Sequence, residues 1–173
     1  MRRLPILAAA LLAVAPAAAQ QRHNSAAPID FNADAIELQD RANRAILSGN
    51  VSVKQAEMTL DAARLTVAYT GQVVDGSPQV SRLDAAGGVT VRRPDQTARS
   101  QFAIYDLNRR VITMVGGVSL NQGGNVVNGG RLTINLDTGR AVIDGSAVGG
   151  GAPGSVQSSG GRVTGRFSVP NRN

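Results

Sequence analysis

The sequence predicts an all-β protein, an open roll of repeated antiparallel strands, from three observations. Between Ile29 and Ile143, short runs of Val, Ile, Leu and Thr alternate with small or polar residues, the period of two that is typical of strands. Gly, Asn and Asp interrupt these runs at short intervals, as turns require. A unit of apolar strands around a Gly-containing junction also recurs along the chain.

The N-terminal segment has the features of a secretory signal peptide. A basic start is followed by an apolar run over residues 4–18 and by small residues before Gln20. The run is short and Ala-rich for a membrane anchor, although an uncleaved anchor helix is the alternative interpretation. We therefore expect residues 1–19 to be removed on export, and the polar residues 20–28 to form a flexible leader.

The composition limits how the protein is stabilised and what it binds. The 173 residues fit one domain, and without Cys an exported chain depends on packing and strand pairing rather than on disulfides. The net charge is +6, and of the 18 basic residues only Lys54 is lysine. Arginine matches phosphate and carboxylate groups, so we expect an acidic or phosphorylated partner. Nucleic acid is disfavoured because aromatic residues make up only 3% and the Arg residues are scattered.

The individual strand predictions follow from the alternation. Each segment would place apolar side chains on one face of a sheet and small or polar ones on the other. Hairpin turns are expected at Asp75-Gly76, at Gln122–Gly124 and at Asp137–Gly139, because Gly, Asn and Asp tolerate positive φ. The clearest strands are Val51–Val53, Leu65–Tyr69, Val89–Val91, Phe102–Ile104, Val118–Leu120 and Leu132–Leu136.

Residues 56–65 contain good helix formers, and an internal repeat decides how they fold. Two pairs of segments match at the same offset of about 67 residues, as a fixed-period repeat requires. In the later copy, Asn128-Gly129-Gly130 is incompatible with a stable helix. We therefore predict strand rather than helix for residues 56–65. The matching segments are Gly49–Val53 with Gly116–Leu120, and Leu60–Val67 with Val127–Ile134.

A middle copy extends the repeat and indicates its shape. Gly87–Val91 matches the first strand of the unit, and Ala98–Ile104 matches the later strand when one residue is taken as deleted. Glycine at the midpoint of the unit predicts a bend or bulge within a long strand. Stacked bent strands would form an open roll with a slot between two sheets. Beyond them, the Gly- and Ser-rich residues 145–161 are predicted to be disordered, and residues 162–173 to form a last strand or a tail.

No constellation of residues in the sequence predicts catalysis. His23, the only His, lies in the leader, where partners would not be held at fixed distances. The sequence has no Ser-His-Asp set, zinc motif or phosphate loop. Its acidic residues mostly flank turns or sit beside Arg, which favours solvated surfaces over the paired carboxylates of a glycan hydrolase, the enzymatic alternative. We therefore predict a protein that is not an enzyme, with no catalytic residues, metal site or cofactor.

The aliphatic residues suggest a binding surface instead. A roll lined by Val, Leu, Ile and Met, with few large rings to fill it, can leave a slot for acyl chains. An ordinary close-packed core is the alternative, and composition alone favours it. From strand parity, the side chains predicted to face inwards and contact acyl chains are Leu47, Val51, Val53, Leu60, Leu65, Val67, Val89, Phe102, Ile104, Val118, Leu132 and Ile134.

Three segments carry a resemblance to a known family. They are Ile29–Leu38, with Ala-Asp near its start, Ala45–Val53, which ends in Gly-Asn-Val-Ser-Val, and Met58–Val67. In these segments and their order, residues 29–144 resemble the LptA/OstA family of periplasmic lipopolysaccharide-transport proteins. The chain departs from the family pattern at Asp61-Ala62-Ala63, where Ala-Asp is expected, and in its long Gly-rich tail.

This resemblance implies a fold, a location and partners. The fold would be a twisted β-jellyroll, open at both ends, that shields the acyl chains of lipopolysaccharide in the periplasm. Family members stack head to tail through their strand edges and bridge inner-membrane and outer-membrane transport proteins. Arg64 and Arg131, at matched repeat positions, would contact phosphates near the slot mouth. The alternatives are a self-assembling structural β-solenoid of the envelope and a related component of the same transport machinery.

Overall fold

The structure, a computed structural model, describes residues 23–71, 78–145 and 162–167. The predicted signal peptide, the turn at Asp75-Gly76 and nearly all of the Gly- and Ser-rich segment lie outside these ranges. A single 3-10 turn spans Asp40–Ala42 within them. The strands are β1 (Ile29–Asn32), β2 (Ala35–Gln39), β3 (Arg44–Gln55), β4 (Met58–Thr70), β5 (Gln79–Arg93), β6 (Gln96–Asp106), β7 (Val111–Gln122), β8 (Asn125–Asn135), β9 (Ala141–Asp144) and β10 (Thr164–Arg166).

The described strands pair antiparallel in one open sheet, which confirms the predicted all-β fold. Strands β3 to β8 follow one another as a meander. Residues 56–65 form the β3–β4 hairpin and the first part of β4, so the repeat rather than helix propensity predicted them correctly. The predicted turns at Gln122–Gly124 and Asp137–Gly139 are also confirmed, and the glycines in both have positive φ.

Strands β3 to β8 bend near their middles, where the pairing register shifts. In β3, β5 and β7 the bend falls on Gly49-Asn50, Gly87-Gly88 and Gly116-Gly117, and all six residues have positive φ. Such left-handed conformations are easily reached by Gly and tolerated by Asn. The bend that the repeated glycines predicted is therefore confirmed.

The bend divides the sheet into two half-sheets. Half-sheet I contains Arg44–Ser48 of β3 and the residues paired with them, and half-sheet II contains Val51–Gln55 and its pairs. The edge strands are divided in the same way. At one edge β2 pairs with half-sheet I and β1 with half-sheet II, and at the other edge β9 and β10 repeat this arrangement along β8.

The inner faces of the two half-sheets share one hydrophobic core. Within each strand the buried residues alternate with accessible ones, as they do at Ala45 and Leu47 in half-sheet I and at Val51 and Val53 in half-sheet II. Most buried residues pair with a buried residue of the next strand, so that the buried side chains form rows that run across the sheet. The sheet therefore folds over itself at the bend, with aliphatic rows from both halves in contact inside.

Candidate functional site

The interior contains most of the side chains that strand parity predicted to face inwards. These residues are each 8% exposed or less and lie on the inner faces of both half-sheets. The same row as Leu47 and Leu65 continues through Ala85, Ala103 and Met114 to Leu132. The interior is therefore an almost continuous aliphatic surface. The correctly placed residues are Leu47, Val51, Val53, Leu60, Leu65, Val67, Val89, Val118, Leu132 and Ile134.

The prediction was wrong for Phe102 and Ile104. Phe102 is 53% exposed and Ile104 is accessible, while their neighbours Ala103 and Tyr105 are buried. The bend in β6 places two accessible residues between the buried Ser100 and Ala103, which reverses the parity beyond it. When β6 is aligned with β4 without a deletion, Ala98–Tyr105 has the same order of buried and accessible residues as Leu60–Val67. The deletion assumed from the sequence moved Phe102 onto the wrong face.

Arg64 and Arg131 also lie on the outer face, so their predicted place near the slot mouth is wrong. Cross-strand pairing puts Arg64, Phe102 and Arg131 in a single row beside the bend, with Ala86 and Val115 between them. Part of this row borders a shallow outer depression of about 370 Å³. Neither arginine lines the interior.

The mouth of the interior lies opposite the bend, between the turns at the free ends of the half-sheets. A cleft of about 1510 Å³ there is bordered by residues of the β3–β4 and β5–β6 turns and by Asp137 and Thr138 of the β8–β9 turn. Arg93 borders this cleft and is not among the residues predicted from the sequence. Its position continues the inner-face alternation of Val89 and Val91, and this parity was the signal that could have found it.

A hydrogen bond crosses the interior near this mouth. The Tyr105 hydroxyl donates to Gln55 Oε1 at 2.8 Å, although β6 and β3 are separated by β4 and β5 in the sheet. Gln55 is 2% exposed and Tyr105 is 1% exposed. Burial raises the pKa of the Tyr105 phenol, an effect that hydrogen bonding to Ser25 and to Gln55 opposes. Because the phenol remains protonated at neutral pH, it can act as the donor that joins the two half-sheets.

Residues 23–28, which belong to the predicted flexible leader, contact the same glutamine. Gln55 Nε2 donates to the carbonyl oxygens of Ser25 and Ala27 at 3.0 and 3.1 Å. His23 Nε2 lies 3.2 Å from Gln55 Oε1. From the sequence, His23 was expected to lie where no partner is held at a fixed distance, but the structure gives it this contact and a place at the border of the mouth cleft.

Apolar side chains on the inner face are accessible at the first edge of the sheet. In β1 and β2, Phe31, Ile36 and Leu38 pair with inner-face residues of β3, yet they are 50%, 52% and 57% exposed. At the opposite edge, next to β10, Val163 and Phe167 are also exposed. The aliphatic surface of the interior is therefore continuous with the first edge, and exposed apolar residues are present at the second.

A model of the family described as LptA/(LptD N-terminal domain) LPS transport protein matches residues 30–140. The chain belongs to this family. An uncharacterized protein of Rhizobium meliloti strain 1021 is 33% identical over 145 residues, which cover 80% of this chain and 78% of that protein.

The fold is also similar to a solved structure. The crystal structure of LptH from Pseudomonas aeruginosa superimposes with a TM-score of 0.68 at 18% identity, covering 85% of this chain and 99% of that one. LptH is described as the LptA homologous periplasmic component of the lipopolysaccharide transport device. At this identity the likeness shows the fold, which is the LptA-like open β-jellyroll that the resemblance implied.

Two further properties of the described residues bear on the site. None of their helices has the length and hydropathy that crossing a bilayer requires. No group of three or more His, Cys, Asp or Glu side chains in these ranges is arranged to hold a metal ion.

Proposed function

We propose that this family member is a periplasmic carrier that holds the acyl chains of lipopolysaccharide between its two half-sheets. The observation that carries the proposal is the aliphatic interior, which runs from the accessible Phe31, Ile36 and Leu38 across to Leu132. An acyl chain is flexible and apolar, so it suits a long aliphatic surface with few polar groups. The two inner faces contact each other, and binding therefore requires the half-sheets to move apart.

The proposal includes a bridge between the inner-membrane and outer-membrane transport proteins. The edges formed by β1 with β2 and by β9 with β10 end the sheet on opposite sides. An unpaired strand edge can pair with the edge of another chain. Head-to-tail pairing would then align the interiors of successive molecules, so that lipid passes from one to the next without exposing its acyl chains to water.

The head group would lie outside the interior, because its phosphates and sugars are strongly hydrated. Arg93 is the better placed cation for a phosphate at the mouth, where it borders the same cleft as Met58 and Gln96. Arg64 and Arg131 remain proposed phosphate contacts only for a head group that reaches the outer surface beside the bend.

Site-specific photo-crosslinking tests the carrier function. A photoreactive amino acid at Val53, which is 3% exposed on the inner face, should crosslink to lipopolysaccharide incubated with the purified protein. The same group at Thr90, on the outer face of the same half-sheet as Val53 and across the bend from the Arg64 and Arg131 row, is the matched control and should crosslink much less. Equal yields at the two positions would contradict binding between the half-sheets. Crosslinks between protein chains without any lipid product would favour the structural alternative.

A further inference from the structure

The segment His23–Pro28, here named the strap, is a compact turn at the mouth of the interior. The Ala27 amide donates to the Asn24 carbonyl at 3.2 Å, and the Ala26 amide donates to Asn24 Oδ1 at 3.1 Å. His23 and Asn24 border the mouth cleft together with Met58 and Gln96, which are inner-face residues of half-sheet II. The strap therefore lies at the opening through which a ligand would reach the interior from this side.

One buried side chain holds both the strap and the closed arrangement of the half-sheets. The Gln55 amide nitrogen donates to two strap carbonyls, and its oxygen accepts from Tyr105 of half-sheet I. While the amide is buried, losing any of these partners leaves a polar atom without a hydrogen bond. Displacing the strap lets water reach Gln55 and replace its partners, which lowers the cost of separating Gln55 from Tyr105.

The strap is suited to reversible release. Its side chains beyond His23 are small or polar, so docking buries little apolar area. A segment held mainly by a few hydrogen bonds opens more readily than the strands below it.

We propose that the strap closes the mouth through Gln55 and Tyr105, and that an acyl chain enters the interior only when the strap is displaced. This inference rests on the proposed carrier function, since it describes how the same interior is regulated. The strap keeps the aliphatic rows covered in the absence of lipid and reduces the rate at which acyl chains enter.

The test compares chains that start at Gln20, at His23 and at Ile29, the last of which lacks the strap. Two probes are used with each: the small apolar dye N-phenyl-1-naphthylamine and lipopolysaccharide carrying a fluorescent acyl chain. Stopped-flow fluorescence should show both probes entering about tenfold faster when the strap is absent, the effect expected from losing one or two net hydrogen bonds. The chain starting at His23 keeps the strap and should behave like the chain starting at Gln20.

Two point variants keep the test valid if the shortest chain folds poorly, which circular dichroism would reveal. Tyr105→Phe retains the ring but removes the link between the half-sheets, and it should also accelerate entry. Tyr69→Phe is the matched control, because it removes a phenol hydroxyl that bonds Asp40 instead of Gln55, and it should leave entry unchanged.

The outcomes separate this inference from the carrier function. Unchanged entry rates in the chain starting at Ile29 and in Tyr105→Phe would overturn the strap proposal, even if lipopolysaccharide binds normally. If the dye enters faster in these variants but lipopolysaccharide does not bind to any of the chains, the strap proposal stands and the carrier function is contradicted.

Discussion

At the scale of single residues, Gln55 shows how a polar side chain is accommodated in an aliphatic interior. Its amide oxygen accepts from Tyr105 and its amide nitrogen donates to two backbone carbonyls. Burying an amide costs a few kcal/mol unless its hydrogen bonds are replaced, about 1–3 kcal/mol in protein mutational data. These partners lie 28, 30 and 50 residues away along the chain, so local sequence patterns contain no trace of the arrangement.

The facing of β4 and β6 gives a prediction for two residues that were both predicted from the sequence to face inwards. Leu65 is fully buried, whereas Phe102 is half exposed on the outer face. Leu65→Ala should reduce the free energy of unfolding by about 3 kcal/mol, because it removes buried methyl groups and leaves a cavity. Phe102→Ala should reduce it by about 1 kcal/mol or less, as is usual for accessible positions. Urea denaturation of both variants measures the difference, and a similar loss for both would show that the facing of β6 is wrong.

At the scale of elements, the bend occurs in two forms, one that the sequence marks with glycine and one that it does not mark. In β3, β5 and β7 it uses Gly-Asn or Gly-Gly with positive φ. In β4 and β6 it falls on Ala63-Arg64 and Gln101-Phe102, which carry no such marker. Alternation therefore predicts the strands and the inner face correctly up to each bend. Beyond an unmarked bend the facing depends on the repeat alignment. The ungapped match of β4 placed Leu65 and Val67 correctly, whereas the deletion assumed in β6 moved Phe102 onto the wrong face.

The adjacent glycines of the β5 bend allow a matched comparison. Gly87 and Gly88 both have positive φ, but a Cβ on Gly87 would lie 2.7 Å from the Cβ of Ala63, whereas one on Gly88 would meet nothing within 4 Å. Gly88→Ala should cost about 1 kcal/mol of unfolding free energy, from the left-handed conformation alone. Gly87→Ala should cost about 1–3 kcal/mol more, because of the added steric overlap.

A third variant separates the two causes at this bend. In an Ala63→Gly background the steric overlap disappears, so Gly87→Ala should then cost about as much as Gly88→Ala does in the original chain. Thermal or urea unfolding of the four variants provides the measurement. If the penalty of Gly87→Ala persisted without the Ala63 methyl group, close approach of β4 to the bend would not be its cause.

At the scale of the whole molecule, the folded sheet buries its aliphatic rows in the centre and leaves both edges unpaired among the described strands. Closing the sheet into a barrel would remove these edges, and the division of each edge into two short strands limits how much of each is exposed. The repeat and the turns in the sequence predicted this architecture. The contact between its halves, which sets the mouth and the strap, depends on residues too distant in sequence to be predicted from it.

The exposed apolar residues at the first edge lead to a prediction about assembly. Leu38 lies on the inner face of β2 and Ala35 on its outer face, and both are accessible. If molecules pair head to tail so that their interiors are continuous, Leu38→Lys places a charge inside the junction, where it loses hydration. Association should weaken about tenfold, equivalent to about 1.4 kcal/mol. Ala35→Lys adds the same charge on the outer face and should have little effect, so sedimentation equilibrium that found both variants equally weakened would contradict a junction formed by the inner face.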